Sequence, residues 1–432
     1  MNNQIQSEMP VNGQDMANYI GHLWNKNEQI QIVLSFEERI DFECLKRAVR
    51  LSVDAEPILG CEFVTSENKP IWRRHKNLDK ITWCKLVETE KSDEILHTIL
   101  CKPLESENYQ LEVYLLRTIK NDLLCIKINH SCSDGGGAKD YLHLLKEIYT
   151  QLTKNVNFYP EINHNSNRSG SQIFENLGIL NPVTLINPHL TELKPTWAFP
   201  NKQSKVESFN YSVLHLTGNE MSELVLYAKE KKVTLNDLIL TAYYRALFTI
   251  INPDFDRPME ICVTTDLRKY LKGNKAAAIC NLSGVLNHRI SRKEENNEAT
   301  LFRVSGEMKK IKKEEWGLHS AVLVEMLAGM DFETVAASIR TAWEESVRWG
   351  KSTINLSNFG LISQEPLYFG DIAAQDAYML TPVFKAPSFM LGASTYRNKL
   401  TFTVGFCEPE VIEEDVKQFL SNFKKELLGF VG

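Results

Sequence analysis

The sequence predicts a mixed α/β protein that is built as two halves. Alternating apolar segments, which are typical of strands, occur among segments whose apolar residues recur at helical spacing. The 432 residues suffice for two domains of ordinary size, each with its own core. A polar, weakly periodic stretch rich in Asn, Ser and Pro separates the two sets of elements. We therefore place the halves at 1–165 and 206–432, with a connector at 166–205.

The first half shows strand patterns interspersed with helical ones. The predicted strands lie at 30–36, 58–64, 109–119 and 123–128. The predicted helices lie at 42–49, at 93–100 and from 138 to about 149. Asp41 is a suitable N-cap for the first helix, and a polar turn at 120–122 joins the last two strands. This alternation predicts a mixed α/β unit.

The second half repeats the same kind of pattern. This second α/β unit begins at Phe209, and its predicted strands lie at 261–265, 279–289, 353–357, 389–394 and 400–406. The predicted helices lie at 220–231, after Thr234, and from about 413 to 428. Thr217 or Asn219 is expected to begin the first of these helices. Matching α/β content in both halves suggests that they have a similar build.

The most distinctive stretch runs from Asn129 to Gly137 and lies between a predicted strand and a predicted helix. His130 follows the strand directly, where a loop can expose its ring to a substrate. Imidazole is the side chain best suited to remove a proton near neutral pH. Asp134 follows four residues later, and then three glycines. No Lys-Ser/Thr follows them, so we interpret the glycines as clearance beside the histidine ring rather than as a phosphate loop.

Composition excludes several classes of protein. Hydrophobic content of 43% and charged content of 24% are typical of a soluble globular protein. A net charge of −6 and a pI near 6.0 argue against nucleic acid as a partner. We expect no membrane span, and the N-terminus has no signal-peptide pattern, which predicts a cytoplasmic protein. The nine scattered cysteines predict reduced thiols, and no residue spacing suits a metal site.

The order of motifs along the chain resembles the chloramphenicol acetyltransferase-like superfamily. That superfamily includes nonribosomal peptide condensation domains, polyketide-associated acyltransferases, alcohol acetyltransferases and the plant HxxxD acyltransferases. The resembling features are Leu45 to Phe63, Pro70–Trp72, Asn129–Gly135, Val233–Leu238, Thr265–Arg268, Leu356–Gly360 and Leu400–Phe406. Only the HxxxDG motif is specific by itself, but the order of the pieces covers nearly the whole chain.

The resemblance implies a fold and a chemistry. Two acetyltransferase-like halves, each a mixed sheet with flanking helices, would meet in a V with a central active-site tunnel. An acyl thioester on coenzyme A or on the phosphopantetheine arm of a carrier protein would be the donor, with no permanently bound cofactor. His130 would be the general base, within the motif that also holds Asp134 and Gly135. The resemblance also implies that Asp134 pairs with Arg268 of the second half.

Two departures from the family pattern are visible. Many relatives carry two histidines in the motif, and here Asn129 replaces the first one. The catalytic histidine of the family matches His130, so the chemistry is retained. Asn358-Phe359-Gly360 stands where plant members carry DFGWG, which argues against a plant-type assignment.

Four further polar residues are candidates for contacts with an oxyanion or an acceptor. Ser357 and Asn358 follow an alternating strand, and Ser283 and Asn287 lie on another predicted strand near the cleft. A strand-end turn explains them equally well. A surface arginine at a strand end is the alternative for Arg268.

The sequence thus predicts a soluble acyltransferase that acts on a small-molecule alcohol or amine and is a monomer. Oxygen acylation is favoured over amide formation, because a single HxxxDG unit in a free-standing chain is more like the alcohol acetyltransferase and polyketide-associated branches. The alternatives are a free-standing, amide-forming condensation-type enzyme and a catalytically silent binding or scaffold homologue.

Overall fold

The computed structural model of the protein describes residues 5–65, 69–165, 167–187 and 194–432. Its α-helices are α1 Gly13–Asn25, α2 Phe42–Ala55, α3 Ser92–Cys101, α4 Gly135–Lys154, α5 Ser171–Asn176, α6 Gly218–Lys231, α7 Leu235–Ile251, α8 Asn297–Lys313, α9 Trp316–Met326, α10 Phe332–Trp349 and α11 Glu413–Leu428. Its strands are β1 Glu8–Pro10, β2 Gln29–Phe36, β3 Cys61–Val64, β4 Ile71–Arg74, β5 Cys84–Glu88, β6 Leu111–Arg117, β7 Asp122–Asn129, β8 Ser208–His215, β9 Pro258–Asp266, β10 Ser283–Ser291, β11 Ile354–Ser363, β12 Tyr368–Phe369, β13 Ile372–Leu380, β14 Phe389–Tyr396 and β15 Lys399–Glu408.

The first large sheet has the strand order β12-β13-β2-β7-β6-β5. Its neighbours pair antiparallel except β5 and β6, which are parallel. The register places Gln29 opposite Asn129, so β2 begins where β7 ends. His130 follows at once, and its backbone N–H donates to the Glu28 carbonyl at 3.0 Å. The sheet therefore fixes where the motif loop starts.

The second large sheet has the order β10-β9-β11-β14-β15-β8. Strand β11 runs parallel to β9 and to β14, whereas the other pairs are antiparallel. Ser283, the first residue of β10, lies opposite Asp266, the last residue of β9. Arg268 follows in the 3-10 helix Leu267–Tyr270 at this end of the sheet. Strands β1, β4 and β3 form a separate small antiparallel sheet in the order β1-β4-β3.

Helices cover both sheets, and each sheet has its own hydrophobic core. In the first core, α2 and α4 pack against each other, and Tyr141 of α4 is fully buried. In the second core, α7 packs against α11, and the ring of Phe402 on β15 lies 4.7 Å from that of Phe423. The mixed α/β fold class is confirmed. The V shape and the tunnel stay expectations.

The first core also contains residues from the second half of the sequence. Strand β13 pairs with β2 from Ala374↔Phe36 to Leu380↔Gln31. Phe332 and Val335 of α10 are buried in the same core. Packing therefore crosses the predicted connector, and the division of the chain at 166–205 stays a prediction.

Two predicted strands start three or four residues later than expected. The strand predicted at 58–64 begins at Cys61, because Pro57 opens a 3-10 turn over Pro57–Gly60. The strand predicted at 279–289 begins at Ser283 and ends at Ser291. Cys280 and Leu282, which precede this strand, bind Asp134 of the motif loop and its partner Arg268 instead of a neighbouring strand. The Cys280 carbonyl accepts a hydrogen bond from Arg268, and the Leu282 N–H donates one to Asp134.

Several predicted boundaries are confirmed. Asp41 caps α2, and Thr217 and Thr234 form capping boxes at α6 and α7. Helix α11 spans residues 413 to 428 as predicted. Within the described ranges, no helix is both long and apolar enough to cross a bilayer.

Candidate active site

The motif loop joins β7 to α4 and is anchored at both ends. The Asp134 carboxylate caps α4, because its Oδ1 accepts a hydrogen bond from the Gly137 N–H at 2.8 Å. At the other end, Asn129 Oδ1 accepts from the Ser131 N–H at 3.0 Å. Asn129 thus closes the turn that carries His130, which gives a structural role to the residue that replaces the first motif histidine.

The structure fixes the tautomer of His130. Its Nδ1 lies 3.0 Å from the Ser133 carbonyl oxygen, which can only accept, so Nδ1 carries the proton. The Asn18 amide nitrogen, 3.3 Å from Nδ1, directs its two protons to the His130 carbonyl and to Asn281 Oδ1 instead. Nε2 makes no hydrogen bond with the residues that the structure describes. Its lone pair is therefore not engaged by any of these residues.

Each carbonyl of the motif loop from 130 to 133 accepts a hydrogen bond from a side chain. The His130 carbonyl accepts from Asn18 at 3.0 Å and from Asn281 at 3.1 Å. Asn281 also lies 3.1 Å from the Ser131 carbonyl, and Arg168 donates to the Cys132 carbonyl at 2.7 Å. The Ser133 carbonyl accepts from His130 itself. Three distant segments of the chain therefore hold this loop.

A buried ion pair organises two of these donors. Arg168 Nη1 and Nη2 lie 2.5 and 3.2 Å from the two carboxylate oxygens of Asp15. Asp15 also accepts from Asn281 at 3.1 Å and from the Trp72 indole at 2.8 Å. Asp15 is fully buried and Arg168 is 3% exposed. A charge pair with all these partners is rigid, because breaking any contact would leave a buried group unsatisfied.

Asp134 and Arg268 form a second buried ion pair. Arg268 Nη1 lies 3.0 Å from both carboxylate oxygens of Asp134, and Arg268 Nη2 donates to the Cys280 carbonyl at 2.9 Å. Asp134 Oδ2 also accepts from the Leu282 N–H at 2.7 Å. With three kinds of donor around it, Asp134 is a structural carboxylate and is not free to take a proton from a substrate.

The three glycines let neighbouring chain segments approach the start of α4 closely, and the clearance beside the histidine ring expected from the sequence stays a prediction. A Cβ on Gly135 would lie 2.2 Å from the Phe359 ring, and one on Gly136 would lie 2.3 Å from Arg268 Nη1. A Cβ on Gly137 would lie 2.9 Å from the Cys280 carbonyl. The glycines therefore let the first turn of α4 approach the second half of the chain.

A cavity beside His130 contains most of the residues that were candidates from the sequence. Its lining comprises Ile30, His130, Asp134, Gly135, Gly136, Lys139, Thr264, Asp266, Ser283, Ser357, Asn358, Phe359, Pro382 and Met390. Ser283, Ser357 and Asn358 are thus brought together with His130. Asn287 is not part of the lining, because it lies four residues further along β10, about 13 Å away at the rise of a strand.

The hydroxyl and amide candidates differ in their capacity to donate. Ser357 Oγ accepts from Thr264 at 3.3 Å, which leaves its own proton available. Asn358 donates to Asn236 at 3.1 Å and accepts from the Gly360 N–H at 2.9 Å. Ser357 is therefore the better placed hydrogen-bond donor, and Asn358 shapes the bulge of β11.

Comparisons with known proteins detect likeness only at the level of structure. No protein-family model matches the chain, and no curated protein matches it in sequence. Trichothecene 15-O-acetyltransferase from Fusarium sporotrichioides superposes with a TM-score of 0.73 at 11% identity, covering 99% of this chain and 96% of that one. Polyketide synthase associated protein 5 from Mycobacterium tuberculosis gives 0.66 at 13% identity, covering 98% of each chain. The first condensation domain of the calcium-dependent antibiotic synthetase gives 0.66 at 13% identity, covering 99% of this chain and 97% of the domain.

These three proteins share one architecture, and it covers almost all of this chain. The chain therefore has the fold that these acetyltransferase, polyketide-associated and condensation-domain structures share. The resemblance stated from the sequence is confirmed at the level of the fold.

Burial affects the pKa values of both His130 and Asp134 in the motif. Burial lowers the pKa of His130 below its usual value, despite the opposing effects of the Asp134 charge and the Ser133 hydrogen bond. Burial alone would raise the pKa of Asp134, but the charge of Arg268 and the hydrogen bonds from Arg268, Gly137 and Leu282 together outweigh it and hold that pKa below its usual range. His130 is therefore neutral and Asp134 ionised at neutral pH.

Four residues whose side chains support the motif loop around His130 were not predicted from the sequence. Asp15 and Asn18 lie on α1, Arg168 lies in the connector, and Asn281 precedes β10. The only signal was the spacing of Asp15 and Asn18, which places both on one face of a helix.

Among the described residues, no three His, Cys, Asp or Glu side chains lie together in a group that could hold a metal ion.

Proposed function

We propose that this protein is an acyltransferase that moves an acyl group from a thioester to a hydroxyl or an amine. His130 Nε2 would take the proton of the acceptor while the acceptor oxygen or nitrogen attacks the thioester carbonyl. The tetrahedral intermediate would then collapse with cleavage of the C–S bond. The proton on His130 would pass to the departing sulfur, which leaves the histidine neutral for the next turnover.

The availability of His130 Nε2 is the observation that carries this proposal. A general base needs a lone pair that faces the substrate and a ring that cannot rotate away. The Nδ1 hydrogen bond to Ser133 restrains the ring and leaves the Nε2 lone pair without a partner among the described residues, and the lowered pKa keeps the ring in its basic form at neutral pH. The ion pair of Asp134 with Arg268 supports the loop but takes no part in proton transfer.

Hydroxyl groups in the cavity would stabilise the oxyanion of the intermediate. Ser357 has a free proton and lines the same cavity as His130, and Ser283 makes no side-chain hydrogen bond with the described residues. Removing one donor from an oxyanion site typically costs ~10²–10³-fold in turnover. Ser357 is the donor that we expect to matter most, with Ser283 and Asn358 as lesser candidates.

The names of the structural neighbours suggest a donor and an acceptor. A starter condensation domain of rhizomide synthetase, with a TM-score of 0.67 to this chain, was solved in complex with C8-CoA. We therefore expect an acyl-coenzyme A donor, or the same phosphopantetheine arm on a carrier protein, and no permanently bound cofactor. Oxygen acylation stays the favoured reaction, and the neighbour that is a 15-O-acetyltransferase is in line with it.

Release of free thiol tests the proposal. The protein would be incubated with acetyl-coenzyme A, longer acyl-coenzyme A esters or a loaded carrier protein, together with panels of alcohols and amines. Thiol release that depends on an acceptor, with the acylated product seen by mass spectrometry, is the expected result. No release from any of these donors would favour a catalytically silent homologue, and amide products alone would favour a condensation-type enzyme.

A further inference from the structure

Four polar side chains lie on one face of the second sheet where it borders the cavity. Ser283 pairs with Asp266, and Thr264 lies two residues before Asp266, so these three share a face. The register of β11 with β9 places Ser357 beside Thr264, and their hydroxyl oxygens are 3.3 Å apart. We call Ser283, Asp266, Thr264 and Ser357 the polar wall.

The remaining part of the cavity is different in character. Met390 lies on β14, the next strand of the same sheet, and Ile30 and Pro382 complete an apolar side. Lys139 is the lysine of the lining, but its ammonium group already donates to the Phe359 carbonyl at 2.7 Å. The cavity therefore changes from polar at β10, β9 and β11 to apolar at β14.

The polar wall has unused hydrogen-bonding capacity. Asp266 Oδ1 accepts from the Arg268 backbone N–H at 2.9 Å and from Arg268 Nη1 at 3.3 Å, whereas Oδ2 has no hydrogen-bond partner among the described residues. Ser283 Oγ also has none within the described ranges, and the Ser357 proton is free. The wall thus offers hydroxyl groups that can donate or accept and one carboxylate oxygen that accepts.

We infer that the acceptor in the proposed acyl transfer is a small polyol or amino-polyol, which the polar wall holds through hydroxyl or ammonium groups other than the one that is acylated. This inference rests on the proposed function. The free volume of the cavity is only about 80 Å³, so a bound group must contact its walls. An apolar alcohol would cover Asp266 and Ser283 without bonding to them, and sites of this kind reject substrates that lack the matching polar group.

Two adjacent threonines on β9 provide a matched test. Thr264 lines the cavity, whereas Thr265 is outside the lining and accepts a hydrogen bond from Lys269 at 3.2 Å. The variants Thr264→Val and Thr265→Val therefore remove the same group on opposite faces of one strand. Acceptor and donor kinetics would be measured for both variants, with a donor identified by thiol release and with sugars, amino alcohols and simple alcohols of matched size.

The wild-type protein should use polyols or amino-polyols at least about 10-fold more efficiently than simple alcohols. Thr264→Val should lower kcat/KM for polyols or amino-polyols about 10-fold more than kcat/KM for simple alcohols, without changing KM for the donor, and Thr265→Val should change none of these values. An equal fall for both kinds of acceptor would overturn the inference, because it would indicate a weakened oxyanion site instead. Thiol release with equal use of simple alcohols would overturn this inference but leave the proposed function intact. A rise in donor KM for Thr264→Val would also overturn it, since the wall would then bind the thioester arm. No thiol release from the wild-type protein would remove the proposed function itself.

Discussion

The ring of His130 is held by its own loop, and the loop is held by side chains from elsewhere in the chain. Nδ1 donates to the Ser133 carbonyl, so Nε2 is the nitrogen with the free lone pair. Because the ring is partly buried, its charged form is disfavoured and its pKa is lowered. An imidazole of this kind is neutral through most of the physiological pH range.

The pH dependence of acyl transfer should reflect this lowered pKa. The base acts only when it is neutral, so kcat/KM should rise with pH along an acid limb. The midpoint of that limb should lie below about 6.5, the ordinary value of a histidine, and the rate should be level at neutral pH. A profile measured from about pH 5 to pH 9 checks this. A midpoint above the ordinary value would contradict the burial of the neutral ring.

Asn281 should affect turnover more than substrate binding. Asn281→Ala removes the hydrogen bonds to the carbonyls of His130 and Ser131, which lets the ring shift. A displacement of about 1 Å can cost ~10²-fold in rate, so kcat should fall by on the order of 10-fold or more with KM little changed. Asn176→Ala is the control, because that exposed amide also donates to a backbone carbonyl, at 2.7 Å from Tyr270. An equal effect of both variants would show that Asn281 does not position the base.

At the scale of elements, the motif loop and α4 are joined to the second half through Asp134, Arg268 and the glycines. Helix α4 begins where a carboxylate caps it, and its first turn lies against Phe359 and Arg268. The same carboxylate accepts from the segment before β10. One residue thus links the helix start, the arginine and the neighbouring strand.

The coupling between Asp134 and Arg268 should be visible in a double-mutant cycle. Removing one partner of a buried pair costs ~3–5 kcal/mol, because the other charge stays buried. Arg268→Ala and Asp134→Ala should each lower the free energy of unfolding, and the double variant should be little worse than the poorer single variant. Denaturant unfolding at neutral pH checks this. Strictly additive losses would contradict the pairing.

The contribution of Asp134 should also depend on pH. Its pKa is lowered on folding, so the carboxylate stabilises the native state above its unfolded pKa of ~3.9, and this stabilisation is lost as the pH falls below that value. The stability difference between the wild-type protein and Asp134→Ala should therefore shrink in acid.

Replacement of a helical glycine by alanine should have opposite effects on stability at two positions. Gly135→Ala would place a methyl group 2.2 Å from the Phe359 ring, so it should lower the stability by about 1–3 kcal/mol. Gly306 lies in α8, where an added methyl group would meet no atom within 4 Å, so Gly306→Ala should raise the stability by about 0.5–1 kcal/mol. Thermal unfolding of both variants checks the pair. A stable Gly135→Ala variant would show that α4 is not packed closely on β11.

The elements that the sequence predicted well are those with a local signal. The strand before His130, the capping threonines and α11 follow from short-range periodicity and cap chemistry. Helix α1 was missed because its buried face is half polar, with Asp15, His22 and Asn25 among its buried residues. A helix of this kind lacks the apolar stripe by which amphipathic helices are recognised.

At the scale of the whole molecule, what could not be predicted are contacts between distant segments. Strand β13 pairs with β2 although more than 300 residues separate them, as Leu380 lies opposite Gln31. Arg168 lies in a connector that looked featureless, yet it reaches Asp15 and the motif loop. The pairing of Asp134 with Arg268 came from the family resemblance alone, since no local pattern links two residues of different halves.

The substitution of His130 tests the central claim of acyl transfer by a histidine base most directly. His130→Ala and the control His164→Ala, which removes an exposed histidine, would be compared in thiol release with the best donor and acceptor. We expect His130→Ala to stay folded by circular dichroism and to lose ~10²–10⁴-fold in kcat, while His164→Ala keeps full activity. A folded His130→Ala protein that transfers the acyl group at the wild-type rate would contradict the account.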